Sequence, residues 1–279
     1  MHGRSAAITL ALSMLILNLA HATQLGIIGP IGATLSNNAT IHLGKVGPGE
    51  SFYVLANSSA VNGKGVYVNI GWDTLKAISL PSGWSSQASP LYENPMKTKI
   101  TVSPNAQNGT YLLEFRAVNV QNYSGLGNLT FYAYVNVTPD VFNLNVQPTQ
   151  LSAGIDQPVN IYVTINNTGI SDDPFTISAE GLPAWNITRD VISLHSTTNT
   201  YQYPVFEDEP AVYHFNLTVG ASTSRLISKS YPMKLVVKES LLSDFNSVGN
   251  GVVLTPVVFE PVYALMTFIS GLLRSHSIS

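Results

Sequence analysis

The clearest chemistry in this chain belongs to asparagine. Nine Asn-x-Ser/Thr triplets occur, at Asn38, Asn57, Asn108, Asn122, Asn128, Asn136, Asn166, Asn186 and Asn216. Each is an acceptor pattern for an N-linked glycan in an exported protein. One triplet says little, but nine in a chain only 10% charged say more, since about 25% charge is usual for a soluble domain. Sugar would supply the hydration that Lys, Arg, Asp and Glu do not. Aromatic residues are the second candidate chemistry. Trp72 and Trp84 could present a flat ring to a pyranose, Trp72 the better because it has no counterpart elsewhere in the chain. Two acidic clusters, Asp172-Asp173 and Glu207-Asp208-Glu209, could contribute oxygens to calcium, which takes six to eight. Neither has EF-hand spacing, and two solvated loops are the plainer reading, so no metal site is assigned. After residue 22 the only histidines are His42, His195, His214 and His276. No H-E-x-x-H, G-x-S-x-G or P-loop pattern is present, so neither a catalytic residue nor a cofactor is expected.

These residues must be positioned by strands. Short runs rich in Val, Ile, Tyr, Phe and Thr recur between Gly, Pro and Asn breaks, the signature of an all-β sandwich or barrel. Strands are expected over residues 51–55, 66–70, 97–102, 111–117 and 129–137. A second set is expected over 159–165, 175–179, 200–205, 212–219 and 233–237. No segment of ten or more residues before Glu239 carries a 3.6-residue period.

An internal repeat divides the body in two. Leu80-Pro81-Ser82-Gly83-Trp84 precedes Asn108-Gly109-Thr110-Tyr111, and Leu182-Pro183-Ala184-Trp185 precedes Pro210-Ala211-Val212-Tyr213. The interval from Leu to Tyr is the same in both copies. Equivalence makes Trp84 and Trp185 core caps before it makes them ligand platforms. It also makes Tyr111 and Tyr213 candidates for a hydroxyl that bonds back to the preceding turn, as in the tyrosine corner. The expected organisation is a signal peptide at 1–22, one Ig-like β-sandwich at 23–138, a second at 139–238, and a tail at 239–279.

With these motifs in view, each half resembles the NPCBM-associated Ig-like domain of alpha-galactosidases and the CARDB-type cell-adhesion-related domains of bacteria and archaea. In the second copy Asn167-Thr168-Gly169, Gly181-Leu182-Pro183-Ala184-Trp185 and Tyr213 carry the likeness, the turn being one residue short of the pattern. In the first copy Leu80 to Trp84 and Gly109-Thr110-Tyr111 carry it, and the N-T-G is lost. The resemblance covers about residues 40–238. It implies accessory, adhesive or spacer roles outside the cell, without catalysis, and it names no ligand.

The two ends speak to location. Arg4, an apolar run at 6–20 and Ala20-His21-Ala22 fit a secretory signal cleaved after Ala22. The chain has no Cys, although exported proteins of this size in animals usually carry disulfides, so a bacterial or archaeal exterior is indicated. Nine sequons beside no cysteine favour an archaeal one. A net charge of −3 gives no field for nucleic acid. Residues 261–273 hold Val262, Leu265, Met266, Phe268, Ile269, Leu272 and Leu273, apolar nearly all round, and Pro261 suits a first helical turn. Thirteen residues span about 20 Å, short of a roughly 30 Å hydrocarbon core. Adding residues 252–259 gives 22, a poor span with two Pro and Glu260 inside. Packing back onto the second sandwich is the remaining alternative to an interfacial anchor or a helix docked on a partner. The expected partners are therefore an envelope protein or a membrane surface reached through this apolar segment, with carbohydrate as the alternative. The expected function is a non-catalytic secreted or cell-surface glycoprotein with a structural or adhesive role in the envelope. A carbohydrate-binding accessory module is the alternative, and an exported enzyme a more distant one.

Overall fold

A computed structural model describes residues 23–121, 125–185 and 187–239. The expected signal segment at 1–22, the expected apolar helix at 261–273, Asn122 and Asn186 lie outside the described residues. Among those described, every regular element is a strand, and no helix is long and apolar enough to cross a membrane. The described residues form two compact units, one of those up to Val141 with Gly169–Asp172, the other of Phe142–Thr168 and those from Asp173 on.

The first unit contains β1 (Gln24–Gly29), β2 (Ala33–Leu35), β3 (Ala39–Val46), β4 (Ser51–Val61), β5 (Tyr67–Gly71), β6 (Thr74–Ser79), β7 (Ser85–Gln87), β8 (Met96–Thr101), β9 (Gly109–Val118) and β10 (Leu129–Val137). One sheet has the order β2-β1-β4-β8-β7, with β5 also on β4, and the other has β3-β10-β9-β6. Strict alternation explains why these segments are strands. Along β10, Leu129, Phe131, Ala133, Val135 and Val137 are buried while the residues between them face outward. Period two places one face on the core and one in water. Phe52 and Ile100 of one sheet join Phe115 and Phe131 of the other in a single hydrophobic cluster, with the Phe115 and Phe131 rings stacked at 5.1 Å.

The second unit contains β11 (Phe142–Gln147), β12 (Gln150–Gly154), β13 (Val159–Asn167), β14 (Asp173–Glu180), β15 (Arg189–Ser193), β16 (Thr198–Val205), β17 (Val212–Ala221) and β18 (Ser228–Lys238). Its sheets run β11-β13-β16 and β12-β18-β17-β14-β15. Phe142 meets Phe175 edge to face across them at 4.9 Å.

The pairing plan repeats. β1-β4-β8 corresponds to β11-β13-β16, and β3-β10-β9-β6 to β12-β18-β17-β14. In each unit the last strand takes an early strand as a parallel neighbour, β3 on β10 and β12 on β18. The arrangement β1-β4-β8-β7 against β6-β9-β10 follows the ABED and CFG order of immunoglobulin-like sandwiches. Among the described residues, β2 and β5 of the first unit have no counterpart in the second, and one further strand changes sheet. β7 lies on β8 in the first unit, whereas its counterpart β15 has moved to the opposite sheet and pairs with β14.

All ten expected strands fall within or overlap observed ones. Those missed, β1–β3, β6, β7, β11, β12 and β15, are mostly short or rich in Gly, Asn and Ser. Their strand character comes from long-range pairing rather than local propensity.

Candidate functional site

Seven of the nine sequon asparagines are described. Asn38 sits at a turn tip with φ of 64°, a left-handed conformation that asparagine tolerates. Asn108 precedes β9 and Asn128 precedes β10, while Asn136 and Asn216 project outward from β10 and β17, and all five are exposed. Asn57 on β4 and Asn166 on β13 are half-buried. The Asn57 side-chain oxygen is already engaged, accepting from the Ser59 N–H at 2.9 Å.

The tryptophans require a correction. Trp72 is only 3% exposed and Trp84 8%, and both belong to the core cluster of the first unit. Neither offers a ring face to a sugar. The Trp72 indole N–H donates to the Gly127 carbonyl. Trp84 follows Gly83, whose φ of 78° turns the chain inward, and its ring lies 5.4 Å from that of Tyr111. Trp185 is buried likewise, edge to face with Phe206 at 4.7 Å. A hollow of about 240 Å3 does open beside Trp72, lined by Asp73, Tyr92 and Ser58 among others. It exposes the Tyr92 ring rather than the indole.

Both tyrosine corners are present. The Tyr111 hydroxyl donates to the Gln107 carbonyl and the Tyr213 hydroxyl to the Glu209 carbonyl, each at 2.9 Å and each four residues back. Donors and acceptors are offset by the same 102 positions as the sequence repeat, so one local device is built twice.

Asp172, Asp208 and Glu209 are exposed, but each acidic cluster also has one buried member, Asp173 and Glu207. Glu207 is fully buried, and its two carboxylate oxygens accept from the Ala184 N–H at 3.2 and 3.3 Å. The carboxylate thus pins the Leu182-Pro183-Ala184-Trp185 turn. Burial pushes its pKa up, the Ala184 N–H offsets part of that rise, and Asp208 adds to it. Burial, then the charge of Asp208, likewise raises Asp156, whose N–H donates to the Glu207 carbonyl. The first unit buries one glutamate at the equivalent strand pairing, from the opposite strand. Glu50 accepts from the Gly47 N–H at 2.6 Å, and its carbonyl accepts from the Val102 N–H. Asp173 is buried at the start of β14. Among the described residues no three His, Asp or Glu side chains are grouped to hold a metal ion.

Sequence reasoning missed one surface. The outward face of β11-β13-β16 is a three-by-three grid set by strand register. Its rows are Asn143, Asn166 and Thr198, then Asn145, Thr164 and Thr200, then Gln147, Tyr162 and Gln202. None of these side chains is charged. Thr164 and Thr200 share a hydroxyl hydrogen bond of 2.9 Å, and Tyr162 is 46% exposed. Beside it opens a shallow groove of about 800 Å3, lined by Asn145, Gln147, Gln150, Tyr162 and Tyr231 among others. The signal available in sequence was the polar half of each alternating strand, which reads as ordinary solvent-facing surface until the register aligns it.

No family model matches the chain, and no curated protein does. Among solved structures it is similar to the fibronectin(III)-like modules of Clostridium thermocellum CbhA, at 11% identity over 77% of this chain and 94% of that one, with a TM-score of 0.26. It is similar to domains 4 and 5 of the S-layer protein SbsC, at 12% identity over 78% and 99%, TM-score 0.31. It is also similar to a chimeric titin Z1Z2, at 12% identity over 78% and 99%, TM-score 0.34. Superposition this low carries no functional weight.

Proposed function

We propose that this chain is an exported, N-glycosylated, non-catalytic surface protein of an archaeal envelope, with a structural or adhesive role. In this reading it comprises two tandem Ig-like β-sandwiches of the NPCBM-associated or CARDB-type kind, followed by an apolar helix at about 261–273. The tail holds the protein to a membrane surface or an envelope protein. The observation that carries the reading is the placement of the sequons. Asn38, Asn108, Asn128, Asn136 and Asn216 stand exposed at turns and on outward strand faces, where a glycan can be attached without disturbing a core. The chain's low charge makes such a coat physically useful. The tandem repetition of one unit adds support, because serial small sandwiches extend a surface without building a deep cleft.

Fractionation of native cells with intact-mass analysis tests this, for the full chain and for a truncation ending at Lys238. The expected result is a full-length protein lacking residues 1–22, carrying glycan mass and sedimenting with the envelope, with the truncation released into the medium. Soluble, unglycosylated and released protein in both cases overturns it. A free binding module would then lead.

A further inference from the structure

The uncharged grid and the groove beside it are more specific than a spacer requires. We propose that the outer face of β11-β13-β16, with the groove between Tyr162 and Tyr231, binds a neutral oligosaccharide. The inference deepens the adhesive reading above. It rests on that reading only in requiring export, which puts the groove within reach of an external polysaccharide.

The chemistry of the lining selects the ligand class. Sugars present hydroxyls that donate and accept at once, together with apolar C–H faces. Asn145, Gln147 and Gln150 are exposed amides, each offering a carbonyl acceptor and two N–H donors. They can follow hydroxyls of either orientation along a chain. Tyr162 supplies a ring for a pyranose face. Tyr231 is held in place, its hydroxyl donating to the Leu144 carbonyl at 3.0 Å, so a second ring is already positioned when a ligand arrives. No Lys, Arg, Asp or Glu lines the groove. Uronates, phosphosugars and acidic peptides find no counter-charge there. The groove is shallow and open, which suits an extended chain rather than an enclosed small molecule.

A competing occupant is the protein's own glycan. Asn166 lies on the same face, four residues from Tyr162 on β13, or roughly 13 Å at about 3.3 Å per residue. Its half-buried side chain is a poorer acceptor than the exposed sequons, and this favours an external ligand.

The experiment uses the purified, native full-length glycoprotein on an array of cello-, xylo- and manno-hexaose, with a galacturonate hexamer as the acidic control. Binding to at least one neutral hexamer and none to the acidic one is expected. Tyr162→Ala should weaken binding by about tenfold or more, and Tyr162→Phe, which keeps the ring, by no more than about threefold. Tyr53→Ala, on the outer face of the first unit, should leave it unchanged. The inference is overturned if no neutral hexamer binds, if only the acidic one does, or if folded Tyr162→Ala binds like the unmodified protein. Should Tyr162→Ala fail to fold, Gln147→Ala decides in its place, and undiminished affinity there overturns the inference. Binding that emerges only in Asn166→Gln also overturns it, by identifying the occupant as the chain's own glycan. Failure here leaves the fractionation result untouched, so the two readings fail separately.

Discussion

At the scale of single residues, the two units are stabilised by a few polar groups that close turns. Tyr111 and Tyr213 each tie a strand entry to the carbonyl four residues earlier. Tyr111→Phe or Tyr213→Phe removes the hydroxyl and keeps the ring. Each should lower the stability of its own unit by about 0.5–1.5 kcal/mol, measured by urea unfolding with a probe in that unit. Glu207 is a different kind of group, because burial disfavours its charged form and raises its pKa. A carboxyl with a raised folded-state pKa contributes stability that is full below its unfolded pKa and is lost as pH rises through the folded one. The second unit should therefore lose part of its stability as pH climbs above the ordinary glutamate value of 4.5. Glu207→Gln, which still offers the Ala184 N–H an acceptor, should flatten that slope. Thermal melts of both proteins at a series of pH values provide the check, and parallel curves would remove Glu207 as the cause.

At the scale of elements, the position of β15 decides what the second unit exposes. With β15 on β14, no strand among the described residues lies on the far edge of β16, and a bare edge invites pairing with another chain. Side chains bridge that edge to β15 and the residues before it instead. Arg189 donates to the Gln202 carbonyl. Tyr201 donates to the Ile192 carbonyl at 2.6 Å, and Tyr203 donates to that of Ile187. Replacing Arg189 and Tyr201 together by Ala and Phe uncovers backbone groups without touching the core. Light scattering over time should then show faster self-association than for the unmodified protein, with little change in unfolding midpoint. The core itself responds differently. Phe175 is fully buried and packs on Phe142, so Phe175→Ala should cost about 3–5 kcal/mol, seen as a lower denaturant midpoint for the second unit.

At the scale of the whole molecule, the proposed function makes low charge and many sequons a single solution to hydration. Occupancy should follow exposure, since the acceptor amide must reach a modifying enzyme. Glycopeptide mass analysis of native protein should find Asn38, Asn108, Asn128, Asn136 and Asn216 more heavily occupied than Asn57 and Asn166. The reverse ranking would mean that modification precedes folding and that the folded surface does not govern it.

Local information was enough for strand character, the repeat and both tyrosine corners. Alternation with period two reports which face meets a core whatever that core contains. A turn with its strand entry is likewise complete within a few residues, as the four-residue reach of Tyr111 and Tyr213 illustrates. What the sequence could not determine depends on partners far away along the chain. Trp72 looked available because it had no counterpart, yet the sheets of the first unit close over it. Glu207 looked like loop charge, yet its carboxylate reaches back to Ala184. The Asn, Thr and Gln residues that form the grid come from three strands between residues 143 and 202, and only the antiparallel register aligns them. Register is a property of pairing between distant segments, and a one-residue slip would turn every one of those side chains to the other face. The sequence thus decided strand faces and repetition, while the tertiary structure alone decided which polar residues share a surface.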